Sequence, residues 1–306
     1  MTDTILEPAP QPVAAPPVEI KGRSLLEEAS RRLLHNPAAV VSLYVVAILI
    51  LLAVFGPMLW LHRIDTIFRD EVGIAPTFTN WHLLGTDTEG RDLVARLLFG
   101  LRISLLVGFA ATAVALTIGV VWGAIAGYFG GIVDEVMMRF VDMLYAIPFI
   151  FFVIVLMSVV QTESPIANLM LIFMAIGAVE WLTMARIVRG QTIALRRKEF
   201  VEAAQAAGAR PLEIVFRHIV PNVLGPVVVF ATLNIPVIIL AESFLSFIGL
   251  GVKEPLTSLG ALISRGVGQT QAPWMLIEPA LTMLVTLLAL NFLGDGLRDA
   301  LDPKER

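Results

Sequence analysis

Few residues in this chain could carry chemistry, and their spacing excludes more than it offers. Cysteine is absent from all 306 residues, which removes disulfides, thiolate metal sites and cysteine nucleophiles. His35, His62, His82 and His218 are scattered, and no H-E-x-x-H sets two ligands on one helical face. A serine nucleophile working inside an apolar segment would need a histidine beside it, and no histidine lies centrally in one. There is no G-x-x-x-x-G-K-[ST] loop, and none of Lys21, Lys198, Lys253 and Lys304 stands in such a setting. The chain therefore lacks a Walker A cradle for ATP phosphates. The acids Asp87, Glu89 and Asp92 lack the D-x-D-x-D-G spacing of a calcium loop. What remains are ionisable groups within apolar segments, where charge is costly and is normally paired or functional. Arg139 and Asp142 are three residues apart, a spacing that suits a local ion pair on one helix. Glu180 and Glu242 lie deeper in their segments, and each is read as lining a polar cavity, held neutral, or bonded to a helix of a partner chain. Glu242, beside Ser243 and Phe244, leans toward the structural role.

The elements that must hold these groups are membrane-spanning helices. Hydrophobic residues make up 57% of the chain, charged residues 16%, and the mean hydropathy is +0.81, outside the range of soluble domains. The net charge of −4 gives no pull toward nucleic acid; lipid is the expected surrounding. Six spans of roughly the ~20 apolar residues that a bilayer requires are expected at 38–61, 103–128, 136–160, 167–188, 223–250 and 277–293. Residues 1–20, rich in proline, alanine and acids, read as a disordered tail rather than a signal peptide. A short surface helix follows from Ser24, with Ser24 and Glu27 as a capping box. Residues 1–37 thus stand apart from a membrane-spanning unit over 38–306. Arginines and lysines at both ends and around 186–198 place the termini and the 189–222 loop inside. The 63–102 loop, expected outside, also carries arginines, but its length and its acids weaken that signal.

The polar loop has a structure of its own. Phe200, Val201, Ala204 and Ala207 fall on one helical face. Gly208 can end that helix at positive φ, and Pro211 suits the first turn of a second one. Leu212, Val215, Phe216 and Ile219 would line the second helix, Glu213 would pair with Arg217, and Pro221 would end it. An amphipathic helix–turn–helix at a membrane surface docks against something. Glu202-Ala203-Ala204, Gly208 and Pro221 carry a resemblance to the EAA signature of permease subunits in binding-protein-dependent ABC importers. That signature reads EAA, three residues, Gly, nine residues, Ile, one residue, Leu-Pro; here His218 fills the Ile slot and Val220 the Leu slot. The resemblance implies that these five residues couple the chain to a cytoplasmic ATPase.

Further stretches extend the match. LGTDTEGRDL from Leu84, WLTMARIVRGQTIALRRKEF from Trp181, AESFLSFIGLGVKEPL from Ala241 and NFLGDGLRDALDPKER from Asn291 resemble the C-type subunits of oligopeptide ABC importers. Nearly everything after Arg31 is covered. The resemblance implies an all-α integral membrane protein with the type I importer permease fold. It also implies a heterodimer with a homologous permease, two cytoplasmic ATPases that bind ATP–Mg, and an extracytoplasmic peptide-binding protein, all in the bacterial inner membrane. No cofactor is expected on this chain. Dipeptides, nickel chelates and glutathione are alternative cargoes, and a proton-driven carrier using Glu180 and Glu242 is the reading from another class. Three smaller expectations complete the picture. Gly119, Gly123 and Gly127 let a neighbouring helix approach closely. Pro148, Pro226 and Pro236 kink their helices. After turns at Gly85 and Gly90, Asp87 or Thr88 caps a helix that Leu93, Leu97, Leu98 and Leu101 lay along the membrane surface.

Overall fold

The computed structural model describes residues 25–160 and 162–301; the expected tail, the Ser24–Glu27 capping box and the basic Lys304 and Arg306 lie outside the described residues. The chain begins with α1 (Leu25–His35) and, after one residue, α2 (Pro37–Leu59). Asn36 makes the corner, because its Oδ1 accepts from the free backbone N–H groups of Ala38 and Ala39 at 3.1 and 3.3 Å. Pro37 needs no donor at that position.

The frame is built on α3 (Leu93–Phe129), a 37-residue helix that begins ten residues before the expected span. At 1.5 Å per residue it runs about 55 Å, well beyond a ~30 Å hydrocarbon core. Leu93 and Leu101 are buried in its first turns, so this stretch is the start of the span and not a separate surface helix. Its cap is Asp92, whose Oδ1 accepts from Ala95 N at 2.8 Å. Neither Asp87 nor Thr88, the residues expected there, caps it; Asp87 instead closes the preceding turn by accepting from the N–H groups of Glu89 and Arg91.

Against α3 lies α6 (Pro165–Arg196). A Cβ added to Gly119, Gly123 or Gly127 would stand 2.6 Å from Met184 Cβ, 2.4 Å from Ala185 O and 2.8 Å from Arg189 O. The glycine stripe is therefore the seam that lets these two backbones touch, as its spacing suggests.

Between them the third expected span is broken. It consists of α4 (Gly131–Tyr145) and α5 (Phe149–Val159), set at 78° to each other. Pro148 has no N–H to give and drives Ile147 out of the helical region, so the helix stops instead of bending. Among the described residues five helices are long and apolar enough to cross a membrane, and six if this bent pair counts as one span. Pro226 and Pro236, by contrast, stay inside α9 (Val220–Phe247).

The chain after α9 leads from the fifth expected span to the sixth. It contains α10 (Leu259–Gly266), whose Leu259 and Leu262 are buried, before α11 (Trp274–Leu301) closes the bundle. Lys253 Nζ donates to Thr162 O at 2.8 Å and Arg91 bonds Glu254 at 3.2 Å. The segments before α3, before α6 and after α9 thus gather at one end of the bundle. The polar loop after α6 lies at the other.

Candidate functional site

That loop is a short two-armed element carried between α6 and α9. Its first arm is α7 (Glu199–Ala206). The N–H of Gly208 bonds Gln205 O at 3.0 Å and that of Ala209 bonds Ala204 O at 3.1 Å, with Gly208 at φ +80°. This paired pattern is a Schellman ending, and it requires the left-handed residue that only glycine supplies without strain. The second arm starts at Pro211 as α8 (Pro211–Ile214).

Pro221 does not end that arm. Residues Val215–Ile219 widen into one π turn, in which Val220 N–H bonds Val215 O, and Pro221 stands in the first turn of α9. A proline ring clashes with the carbonyl one α-turn back and offers no N–H. The wider turn relieves that conflict, so the second arm passes into the membrane span without a stop.

Two faces result. Val201, Ile214, Val215 and Ile219 are buried against Val120 and Tyr128 of α3, Met184 and Val188 of α6, and Val223 and Val227 of α9. The other face carries Phe200, Leu212 and Phe216, exposed by 39%, 53% and 48%, with Glu202, Ala203, Ala207 and Gly208 beside them. Four of these positions correct the periodicity. Phe200 and Ala207 were expected with Val201, and Leu212 and Phe216 with Val215, yet all four face outward. The π turn and the brevity of α8 rotate the pattern away from a straight 3.6-residue stripe. Glu213 does pair with Arg217, at 3.3 Å. Of the EAA residues, Glu202 and Ala203 are presented outward, Ala204 packs inward and Gly208 makes the turn; Pro221 is exposed in α9.

The ionisable residues in the spans are not brought together. Asp142 bonds Arg186 of α6 at 2.8 Å in place of Arg139, and the Arg186 guanidinium lies over the Tyr145 ring at 4.2 Å. Nearby, Arg189 grips Asp134 with two bonds of 2.5 and 2.6 Å. Both pairs tie α4 to α6. They are separated by 44 and 55 residues, and Arg186 and Arg189 read in sequence as topology signals, so nothing local announced the partnership.

Glu180 and Glu242 differ in surroundings. Glu180 is partly open and accepts from Asn234 Nδ2 at 2.9 Å. The two flank a groove of about 130 Å³ that Thr183, Ile187 and Phe230 also line. Glu242 is fully buried. Its oxygens meet the hydroxyls of Ser104 at 3.1 Å and Ser246 at 2.6 Å. Ser258 donates to Ser246 at 3.1 Å, and the N–H groups of Leu259 and Ala261 donate to Ser104 and Ser258. The first turn of α10 is thereby linked through serines to one carboxyl, and α3, α9 and α10 meet there. This enclosure gives Glu242 no path to open solvent. Ser246 lies four residues from Glu242 on the same helix, a spacing open to sequence reading; Ser104, 138 residues away, carried no sequence signal.

At the end of the bundle away from the α7–α8 loop, Glu254 sits among Arg91, Arg96 and Arg265. Burial alone would raise its carboxyl pKa, but the hydrogen bond from Arg91 and the charges of the three guanidinium groups hold it below the ordinary value.

The family model described as "Binding-protein-dependent transport system inner membrane component" matches residues 119–306, and that for the "N-terminal TM domain of oligopeptide transport permease C" matches residues 24–76. The chain is 52% identical over 290 residues to the oligopeptide transport system permease protein OppC of Escherichia coli K12, covering 94% of each chain. It is 49% identical over 290 residues to the OppC protein of Haemophilus influenzae, covering 94% of this chain and 92% of that one. It is 39% identical over 285 residues to the dipeptide transport system permease protein DppC of Bacillus subtilis, covering 92% and 87%. Among solved structures, an inward-facing MetNI methionine ABC transporter aligns with a TM-score of 0.54 at 18% identity, over 67% of this chain and 96% of that one.

Proposed function

This chain belongs to the inner-membrane components of binding-protein-dependent transport systems, and from that premise we propose that it forms the translocation path of an ATP-driven importer of oligopeptides. The observation that carries the reading is the apolar face of Phe200, Leu212 and Phe216 around the Gly208 turn. The chain's own bundle leaves that face uncovered while it buries the opposite one completely. Such a face suits the surface of a soluble ATPase. Glu202, Ala203, Ala204, Gly208 and Pro221, within the 189–222 loop, are the residues we assign to that contact.

The work cycle follows from how the element is built. Val201, Ile214, Val215 and Ile219 lock it to α3, α6 and α9, so a push on the loop moves those spans as one body. Two ATPases closing on ATP–Mg would draw this loop toward its counterpart in a homologous permease and open the path outward. Hydrolysis would reset it. An extracytoplasmic binding protein delivers the cargo, and both termini lie in the cytoplasm. Glu180 and Asn234, with the groove beside them, are placed to meet cargo; the enclosed Glu242 supports structure. Arg139 and Asp142 are assigned no contact with cargo, since Asp142 is spent on Arg186.

The complex purified from its native membrane, with bound ligand identified by mass spectrometry, tests the reading. Peptides longer than two residues, together with two ATPase subunits, are the expected result. Dipeptides alone would shift the cargo toward that of the DppC relative. Uptake into vesicles that follows a proton gradient without ATP hydrolysis would overturn the ATP-driven mechanism.

A further inference from the structure

The segment between α2 and α3 folds over a side-chain cluster to which the transport cycle above gives no role. His62 follows the end of α2, His82 lies in the connecting chain, and Asp92 caps α3. Scattered in sequence, the two imidazoles come to lie with ring centroids 4.7 Å apart. One nitrogen of each ring and one oxygen of Asp92 all lie within 4.8 Å of one another. His82 and Asp92 are buried, at 1% and 0% exposure, and His62 is half-buried.

We propose that His62, His82 and Asp92 bind one divalent transition-metal ion of the zinc class, which staples the α2–α3 segment to the start of α3. Two imidazole nitrogens and a carboxylate oxygen make a three-ligand set that leaves one position for water. The atoms behind the donors are already held. His62 Nε2 bonds the carbonyl of Asn80 at 2.9 Å, and His82 Nε2 meets Glu71 Oε2 at 2.7 Å. A ligating histidine normally has its second nitrogen fixed by such a carbonyl or carboxylate. Asp92 Oδ1 accepts from Trp60 Nε1 at 2.9 Å and Ala95 N at 2.8 Å, which aims Oδ2 at His82.

The distances are those of a site that needs small movements. His82 Nδ1 and Asp92 Oδ2 stand 2.8 Å apart. Bonds of about 2.0–2.1 Å at tetrahedral angles hold donors about 3.3 Å apart, so this pair opens by roughly half an ångström. His62 closes inward by somewhat over an ångström, which its half-buried place beyond a helix end permits. Two imidazoles on one such ion have centroids about 5 Å apart, close to the separation present here. Both nitrogens of His82 face carboxylate oxygens, and each such contact needs a bridging proton or metal ion. Metal uptake replaces the bridge to Asp92 and keeps the one to Glu71.

The measurement is zinc stoichiometry on the whole purified transporter, stripped with chelator and dialysed against buffered free Zn2+. Wild type should retain one more zinc per copy of this chain than His62→Gln, whose apparent affinity should fall at least about tenfold. Subtracting the variant cancels any zinc held by accompanying subunits. His218→Gln, in the remote loop, should bind as wild type does. Cobalt substituted at the site should give the intense visible absorption of tetrahedral coordination, absent from His62→Gln. His62 is not a core residue, so that variant reports even if His82→Gln fails to fold. Equal zinc in wild type and His62→Gln overturns the proposal and leaves a proton as the bridge between His82 and Asp92.

Discussion

Gly208 holds φ +80°, and a Cβ added there meets no atom within 4 Å. Any effect of a side chain at this position is therefore either backbone strain or contact with another subunit. A left-handed conformation costs an L-residue about 1–2 kcal/mol, and a β-branched one more. Gly208→Ala should lower thermal stability slightly and keep most transport. Gly208→Val should reach near-normal abundance, because no buried contact is disturbed, yet lose ATP-driven uptake and ATPase copurification. Normal uptake with ATPases bound in Gly208→Val would remove this turn from the coupling surface. The residue was legible in sequence because its neighbours, a helical pattern before it and Pro211 after it, leave no other place for the reversal. Arg139 and Asp142 were not. Their i,i+3 spacing is good local evidence, but a guanidinium from α6 reaches Asp142 and sequence separation hides it.

At the scale of elements, apolar length was readable and continuity was not. Hydropathy located every span, yet it could not show that α3 begins at Leu93, since the same leucines suit a surface helix or a buried one. Nor could it distinguish Pro148, which breaks its helix, from Pro226 and Pro236, which remain within theirs. The π turn before Pro221 is the same kind of miss: an adjustment of hydrogen bonding that leaves no composition signal. The glycine stripe was readable because only close backbone approach requires it. A Cβ at Gly123 would sit 2.4 Å from Ala185 O, a backbone atom that cannot rotate away. Gly190, also in α6, has nothing within 4 Å of an added Cβ. Gly123→Ala should force α3 from α6 and cost on the order of 1–3 kcal/mol. Gly190→Ala should be neutral or stabilise by up to about 1 kcal/mol through helix propensity. Loss of monodisperse protein on heating in detergent measures both. Equal melting of the two variants would show that the seam is looser than these contacts require.

For the whole molecule, the contacts fix which segments share a side even before any membrane is drawn. α6 is 32 residues long, about 48 Å, and so its ends emerge on opposite faces of a ~30 Å core. Thr162 precedes its first turn and bonds Lys253, while Glu254 bonds Arg91. Everything from the α2–α3 segment to α10 at that end must therefore lie across the membrane from α7. Arg196, Arg197, Lys198, Arg210 and Arg217 crowd the α7 side, which the positive-inside rule assigns to the cytoplasm. The chain has no cysteine, so Gln205→Cys and Gln271→Cys each introduce a single reactive thiol at an exposed position. An impermeant maleimide added to intact cells should label position 271 and spare position 205, and permeabilised cells should label both. Reversal of the two would invert the protein. Labelling of both from outside would contradict more than orientation, because it would require α6 to end on the side where it began.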